Sequence, residues 1–149
     1  MKLKIPPVLQ FLIFSLLMWT FTKLTTVHFT FESQKIVSYF LFFTGISINL
    51  IALYSFSKAK TTVNPLNPSK ASELVIEGIY KYSRNPMYLG MLFGLLGVFI
   101  LLGSYFNILI LLLFIGYIST FQIKPEEKTL TVIFGEEFTL YCKKVRRWI

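Results

Sequence analysis

Apolar residues run along this chain in long blocks, with neither the alternation of a half-buried strand nor the regular polar return of a surface helix. The blocks predict transmembrane helices over residues 8–27 and 36–57, and a helical hairpin over 87–121 folded at Gly103-Ser104-Tyr105-Phe106-Asn107. Pro6 and Pro7 suit a helix start, where a missing N–H costs nothing. Asn49 and the Ser and Thr residues inside the second block can be satisfied by a neighbouring helix. Each arm of the hairpin holds 16 or 17 residues. At ~1.5 Å per residue an arm reaches about 25 Å, just short of a ~30 Å hydrocarbon core.

Two segments break the apolar pattern. Residues 58–86 carry Asn64, Pro65, Asn67, Pro68 and Pro86, so their first part is irregular. In residues 125–149, Leu130, Phe134, Phe138, Tyr141, Val145 and Trp148 recur at helical spacing beside Lys143, Lys144, Arg146 and Arg147. That pattern predicts an amphipathic interfacial helix anchored by Trp148 and bent at Gly135. The expected fold is therefore all-α integral membrane, a single domain over 1–149 with about four transmembrane helices plus the C-terminal amphipathic interfacial helix. A mean hydropathy of +0.64 with 17% aromatic residues agrees, because a soluble domain of this size could not hide so much apolar surface.

Charge adds an orientation. Of 15 Lys and Arg residues, only Lys23 and Lys35 fall on the side where the first helix ends and the second begins. The other thirteen flank the opposite helix ends, which places both termini and the 58–86 loop in the cytoplasm. The same placement explains the +8 formal charge without nucleic acid. The N-terminus resembles a signal sequence in outline, yet no small-x-small cleavage site follows, so it reads as a retained first helix. One His, one Cys and no Asp leave no internal disulfide, no protein metal site and no Ser-His-Asp triad.

The chemistry gathers in two polar stretches. The first is Gly78-Ile79-Tyr80-Lys81-Tyr82-Ser83-Arg84-Asn85-Pro86-Met87-Tyr88-Leu89-Gly90, and the second runs from Pro125-Glu126-Glu127 through Phe134-Gly135 to Tyr141. Ordinary juxtamembrane composition explains the first: interfacial Tyr, snorkelling Lys and Arg, and a Pro opening a helix. A ligand cup explains its density better, with Asn85 capping a helix whose first N–H groups face the ligand. Glu126 and Glu127 either complement a helix dipole or hold a cationic group at the membrane face. Glu136 and Glu137 read as solvated partners of Lys143 and Lys144. Gly90 and Gly94 form a close-packing GxxxG.

Together the stretches resemble the isoprenylcysteine carboxyl methyltransferase and phospholipid methyltransferase superfamily of membrane enzymes. Its pattern, approximately G-x-Y-x-x-x-R-[HN]-P-x-Y-x-G followed after a hairpin by E-E-x-x-L-x-x-x-F-G, reads here as Gly78-Tyr80-Arg84-Asn85-Pro86-Tyr88-Gly90 and Glu126-Glu127-Leu130-Phe134-Gly135, continuing to Phe138, Tyr141, Val145 and Arg147. The resemblance implies S-adenosyl-L-methionine as cofactor. It carries the cofactor contacts onto Ser72, Glu73, Leu74, Val75, Tyr80, Asn85, Pro86, Met87, Tyr88 and Glu126, and catalytic roles onto Arg84 and Glu126. It also implies a lipophilic or lipid acceptor entering from the bilayer. The residue types suit such a ligand, with Glu126 for an ammonium, tyrosine faces for a sulfonium, and helix N–H groups or Arg84 for a carboxylate. The chain departs from the isoprenylcysteine enzymes at Ser72 and Asn85, where they carry His, and at the substrate position Gln122, where they carry Arg. The resemblance thus leaves the acceptor open. Two other readings stand beside it, a non-catalytic small membrane protein and an NADPH-dependent membrane reductase.

Overall fold

A computed structural model describes residues 5–58 and 73–149. Helix α1 (Pro7–Leu24) and helix α3 (Pro86–Leu102) each open on a proline, and α2 (Gln34–Lys58) stands between them in sequence. A 3-10 turn, Gly78–Lys81, leads into α3. Helix α4 (Asn107–Ile118) continues through a π-helical turn, Ser119–Ile123, into α5 (Lys124–Lys144). The described residues contain no strand, and one antiparallel bridge joins His28 to Ser104. Three helices are long and apolar enough to cross a membrane: α1, α2 and the 38-residue Asn107–Lys144 rod. The protein is an all-α membrane protein, as its apolar blocks imply.

The fourth apolar block runs without interruption into the first part of the charged tail, as far as Phe134. Pro125 has no N–H to offer the carbonyl of Phe121, and the π-turn falls where that bond would be missing. The wider turn absorbs the proline, and the helix runs on.

Helix α3 is the hub. It meets α2 along a seam of small residues. A Cβ on Gly90 would stand 2.7 Å from the Gly45 carbonyl oxygen, so only glycine admits this approach. Further along, Ser38 Oγ donates to the Gly97 carbonyl at 2.8 Å. On its other side Leu95 and Met91 pack with Phe14 and Met18 of α1 and with Phe114 and Ile118 of α4. At one end of the bundle the α1–α2 link is tied to the α3–α4 turn: Phe29 N–H donates to the Gly103 carbonyl at 2.6 Å and Gln34 Nε2 to that of Ile100 at 2.7 Å. The start of α3, the π-turn and α5 gather at the opposite end. The outer faces stay apolar, with Leu16, Phe40, Leu112 and Leu113 exposed for lipid.

The C-terminal amphipathic helix is present as α5, with two refinements. Gly135 adopts φ 52° and ψ −118°, outside helical geometry, so the axis breaks there. The helix then stops at Lys144 and Val145 is extended. The apolar stripe is therefore shared between two helical pieces and an extended segment. Phe138, Tyr141 and Val145 pack with Leu74, Leu130 and Phe134, and Trp148 rests on the main helix core.

Candidate functional site

Between Lys81 and α3 the chain is steered by Pro86, which excludes helical geometry from the residue before it. Asn85 accordingly takes φ −132° and ψ 55°. Its backbone N–H is held by Ser83 Oγ at 3.1 Å. The expected side-chain cap does not form: Asn85 Nδ2 donates instead to the carbonyl of Arg147 at 2.9 Å. The first turn of α3 thus keeps its outward N–H groups without a side-chain partner. Tyr88, one turn in and buried, donates its hydroxyl to Glu126 Oε1 at 2.6 Å. This bond joins the two polar stretches across 38 residues.

Neighbouring Glu126 and Glu127 point about 100° apart around the helix and do different things. Glu126 faces Tyr88. Burial pushes its carboxyl up to about 7 from 4.5; the Tyr88 hydroxyl pulls it down and the neighbouring Glu127 charge pushes it up. Glu127 pairs with two guanidinium groups. Arg84 Nη2 lies 3.0 Å from its Oε1, while Arg147 donates Nε to Oε1 at 3.1 Å and Nη2 to Oε2 at 2.6 Å. That pair of hydrogen bonds to Glu127 raises the Arg147 pKa. Arg84 Nε is buried with no hydrogen-bond partner among the described residues.

Tyr80 lies beneath this cluster. Its ring meets the edge of Phe56 at 5.3 Å, and its carbonyl accepts the Tyr141 hydroxyl at 2.7 Å. Burial is the main cause pushing both phenols above the ordinary tyrosine value.

Of the residues singled out from sequence, Tyr80, Arg84, Asn85, Pro86, Tyr88 and Glu126 come together at this end of the bundle. Met87 is half-buried on the first turn of α3. Leu74 packs with Phe138 and Tyr141, Val75 is half-buried and Glu73 is exposed. Ser72 lies outside the described residues. Gln122 is fully buried one turn before Glu126 and donates Nε2 to the Ile5 carbonyl at 3.2 Å. Glu136 and Glu137 are exposed and make no ion pair with Lys143 or Lys144; among the described residues the ion pairs belong to Glu127 alone. Glu127 is the residue that sequence reasoning undervalued. Its signal was the pair of arginines, Arg84 and Arg147, that need a shared anion at a membrane face.

The sequence model of the phospholipid methyltransferase family matches residues 33–137. The chain belongs to that family. The phospholipid methyltransferase match takes in α2, α3, α4 and most of α5, and with them both Tyr88 and Glu126. Among curated relatives, the chain is 38% identical over 72 residues to the protein-S-isoprenylcysteine O-methyltransferase of Schizosaccharomyces pombe, covering 48% of this chain and 30% of that enzyme. It is 43% identical over 63 residues to an uncharacterized protein of Haemophilus influenzae, covering 42% of this chain and all of that one. The chain thus spans under a third of the fission-yeast enzyme it matches. No solved structure matches it.

Proposed function

We propose that the protein is a membrane methyltransferase that uses S-adenosyl-L-methionine and delivers the methyl group to a lipophilic acceptor reached from the bilayer. The observation that carries this reading is the 2.6 Å hydrogen bond between Tyr88 and Glu126. It joins two stretches whose pairing packing alone does not require, which supports reading them as one site. Family membership supports the methyltransferase class, and the partial match to an isoprenylcysteine methyltransferase supports an acceptor of lipid character.

The donor set fits an amino acid with a cationic arm. Glu126 offers a carboxylate whose Oε2 is not engaged by Tyr88, suited to an ammonium. Arg84 Nε and the uncapped first turn of α3 offer donors for a carboxylate. Tyr80 and Tyr88 bring aromatic faces near that end, suited to a sulfonium. Bound S-adenosyl-L-methionine would supply a methyl group already activated by its positive sulfur. The chain itself then has to bind, orient and exclude water, which needs little acid–base inventory. Arg84 and Glu126 hold opposite charges in place, and Tyr88 orients the Glu126 carboxylate. The excess of Lys and Arg at this end of the bundle supports a cytoplasmic site.

The test is ligand-induced stabilisation in detergent. S-adenosylhomocysteine should raise the melting temperature, and Glu126→Ala or Tyr88→Phe should shrink the rise. No rise at millimolar S-adenosylhomocysteine, or a rise with NADPH instead, would overturn the reading. Labelling of membrane lipid extracts with methyl-labelled cofactor then identifies the acceptor.

A further inference from the structure

The extended segment after α5 is held by more than its length requires. Arg84 N–H donates to the Arg146 carbonyl at 3.1 Å, and Asn85 Nδ2 to the Arg147 carbonyl at 2.9 Å. The Arg147 side chain grips Glu127 through two nitrogens. Trp148 packs on the helix core, and Val145 closes the cluster around Phe138. The polar ties converge on Arg84, Asn85 and Glu127, the residues flanking Pro86 and Glu126. Arg84 and Glu127, with side chains only 12% and 18% exposed, pair with each other, and Arg147, itself 35% exposed, is drawn onto the same carboxylate.

A tail serving only to finish the fold has ample apolar surface on which to rest. This one lies across the N-terminal end of α3 and takes up two of its donors. Asn85 therefore faces the tail, and the donors left without a side-chain partner at this end are the Arg84 Nε and the backbone N–H groups of the first turn. We propose that Glu127 and Arg147 are positioning residues of the site: Glu127 holds Arg84 beside the first turn of α3, and through Arg147 it clamps residues 145–148 across that turn as the site's outer wall. The inference rests on the proposed cofactor site and deepens it. The clamp sets how long a ligand stays. A charge-assisted, two-nitrogen pair is the right element for this, because it is strong in one geometry and lost in others.

Trp148 gives a readout that does not depend on ligand. The chain has two tryptophans, so a Trp19→Phe background isolates it. In that background the full-length protein, Arg147→Ala, Arg147→Lys and Glu127→Gln are compared by Trp148 emission without ligand and by the affinity and release rate of S-adenosylhomocysteine. Arg147→Ala is expected to shift Trp148 emission to the red and to weaken binding about tenfold, mainly through faster release. Arg147→Lys keeps the charge but not the two-nitrogen geometry, so it should shift emission and speed release in the same direction as Arg147→Ala, to a smaller extent. Glu127→Gln frees both arginines and should weaken binding beyond Arg147→Ala. If Arg147→Ala releases Trp148 while release of S-adenosylhomocysteine is unchanged, the wall is structural only and the inference fails. It fails equally if Arg147→Ala leaves Trp148 emission at the parent's position. If Arg147→Ala does not fold, Arg147→Lys and Glu127→Gln carry the same comparison. A parent protein that does not bind S-adenosylhomocysteine at all sinks the proposed function, and this inference with it, while the Trp148 shift still reports the clamp.

Discussion

Binding of a cationic ligand at Glu126 should weaken as the solution is made acidic, through a midpoint near neutrality rather than near that of an ordinary glutamate. The carboxyl sits at about 7 in the folded protein against 4.5 for an unperturbed group, chiefly because burial disfavours its charged form. An ammonium needs that charge. With a group titrating at about 7, about nine-tenths of the sites are ionised at about pH 8 and about one-tenth at about pH 6, so affinity falls about tenfold over that interval. Affinity measured for S-adenosylhomocysteine by calorimetry or thermal shift in detergent should therefore fall below about pH 7 and level off above it. Tyr88→Phe removes the hydrogen bond that stabilises the charged form, so its midpoint should move to higher pH. The unliganded protein should show the opposite trend. An acid with a raised folded-state pKa binds its proton more tightly folded than unfolded, so its contribution favours folding below about 4.5 and is lost as pH rises to about 7. The full loss is about 3 kcal/mol, and Glu126→Gln should abolish it. Affinity that is flat from about pH 5.5 to 8, or that rises on acidification, would refute the assignment of Glu126 as the cation's partner.

Three further outcomes follow from packing. Gly90→Ala places a methyl group against the Gly45 carbonyl and Asn49, forcing α2 off α3, and should lower stability by about 1–3 kcal/mol in detergent melts. Phe138→Ala empties a buried position in the α5 cluster and should cost about 3–5 kcal/mol in the same melts. Gly135→Ala meets no neighbouring atom, so its cost is conformational alone, about 1–3 kcal/mol; a drop in melting temperature without loss of α-helical circular dichroism is the expected result.

Much of the bundle is legible in sequence because lipid and core make the same demand, apolar residues in long runs. The Gly90–Gly94 spacing likewise announces a close helix contact, since close backbone approach has few solutions, though not that its partner is α2. The tail is less legible. Leu130, Phe134, Phe138, Tyr141, Val145 and Trp148 keep helical spacing, yet the backbone leaves the helix at Gly135 and again at Val145. Spacing records the faces of an ideal helix and is blind to a turn that returns a later residue to the same cluster by another route. Asn85 shows a second limit. Its position before Pro86 predicts a cap, but a carbonyl 62 residues away competes for the amide and wins. Glu126 and Glu127 are equivalent as helix-start acids and separate only once α3 stands on one side and the tail on the other.

The π-turn at Ser119–Ile123 indexes the chemistry to the membrane helix. Such a turn holds one residue more than the α-helical turn it replaces, and each residue advances a helix by about 100°. Deleting Thr120 would leave the apolar rod and its length almost unchanged, yet rotate everything beyond it by about a quarter of a revolution. Glu126 would then face away from Tyr88, and Glu127 from Arg84. The phase of a single turn, one that carries no charge, therefore decides whether the polar end of the bundle assembles at all.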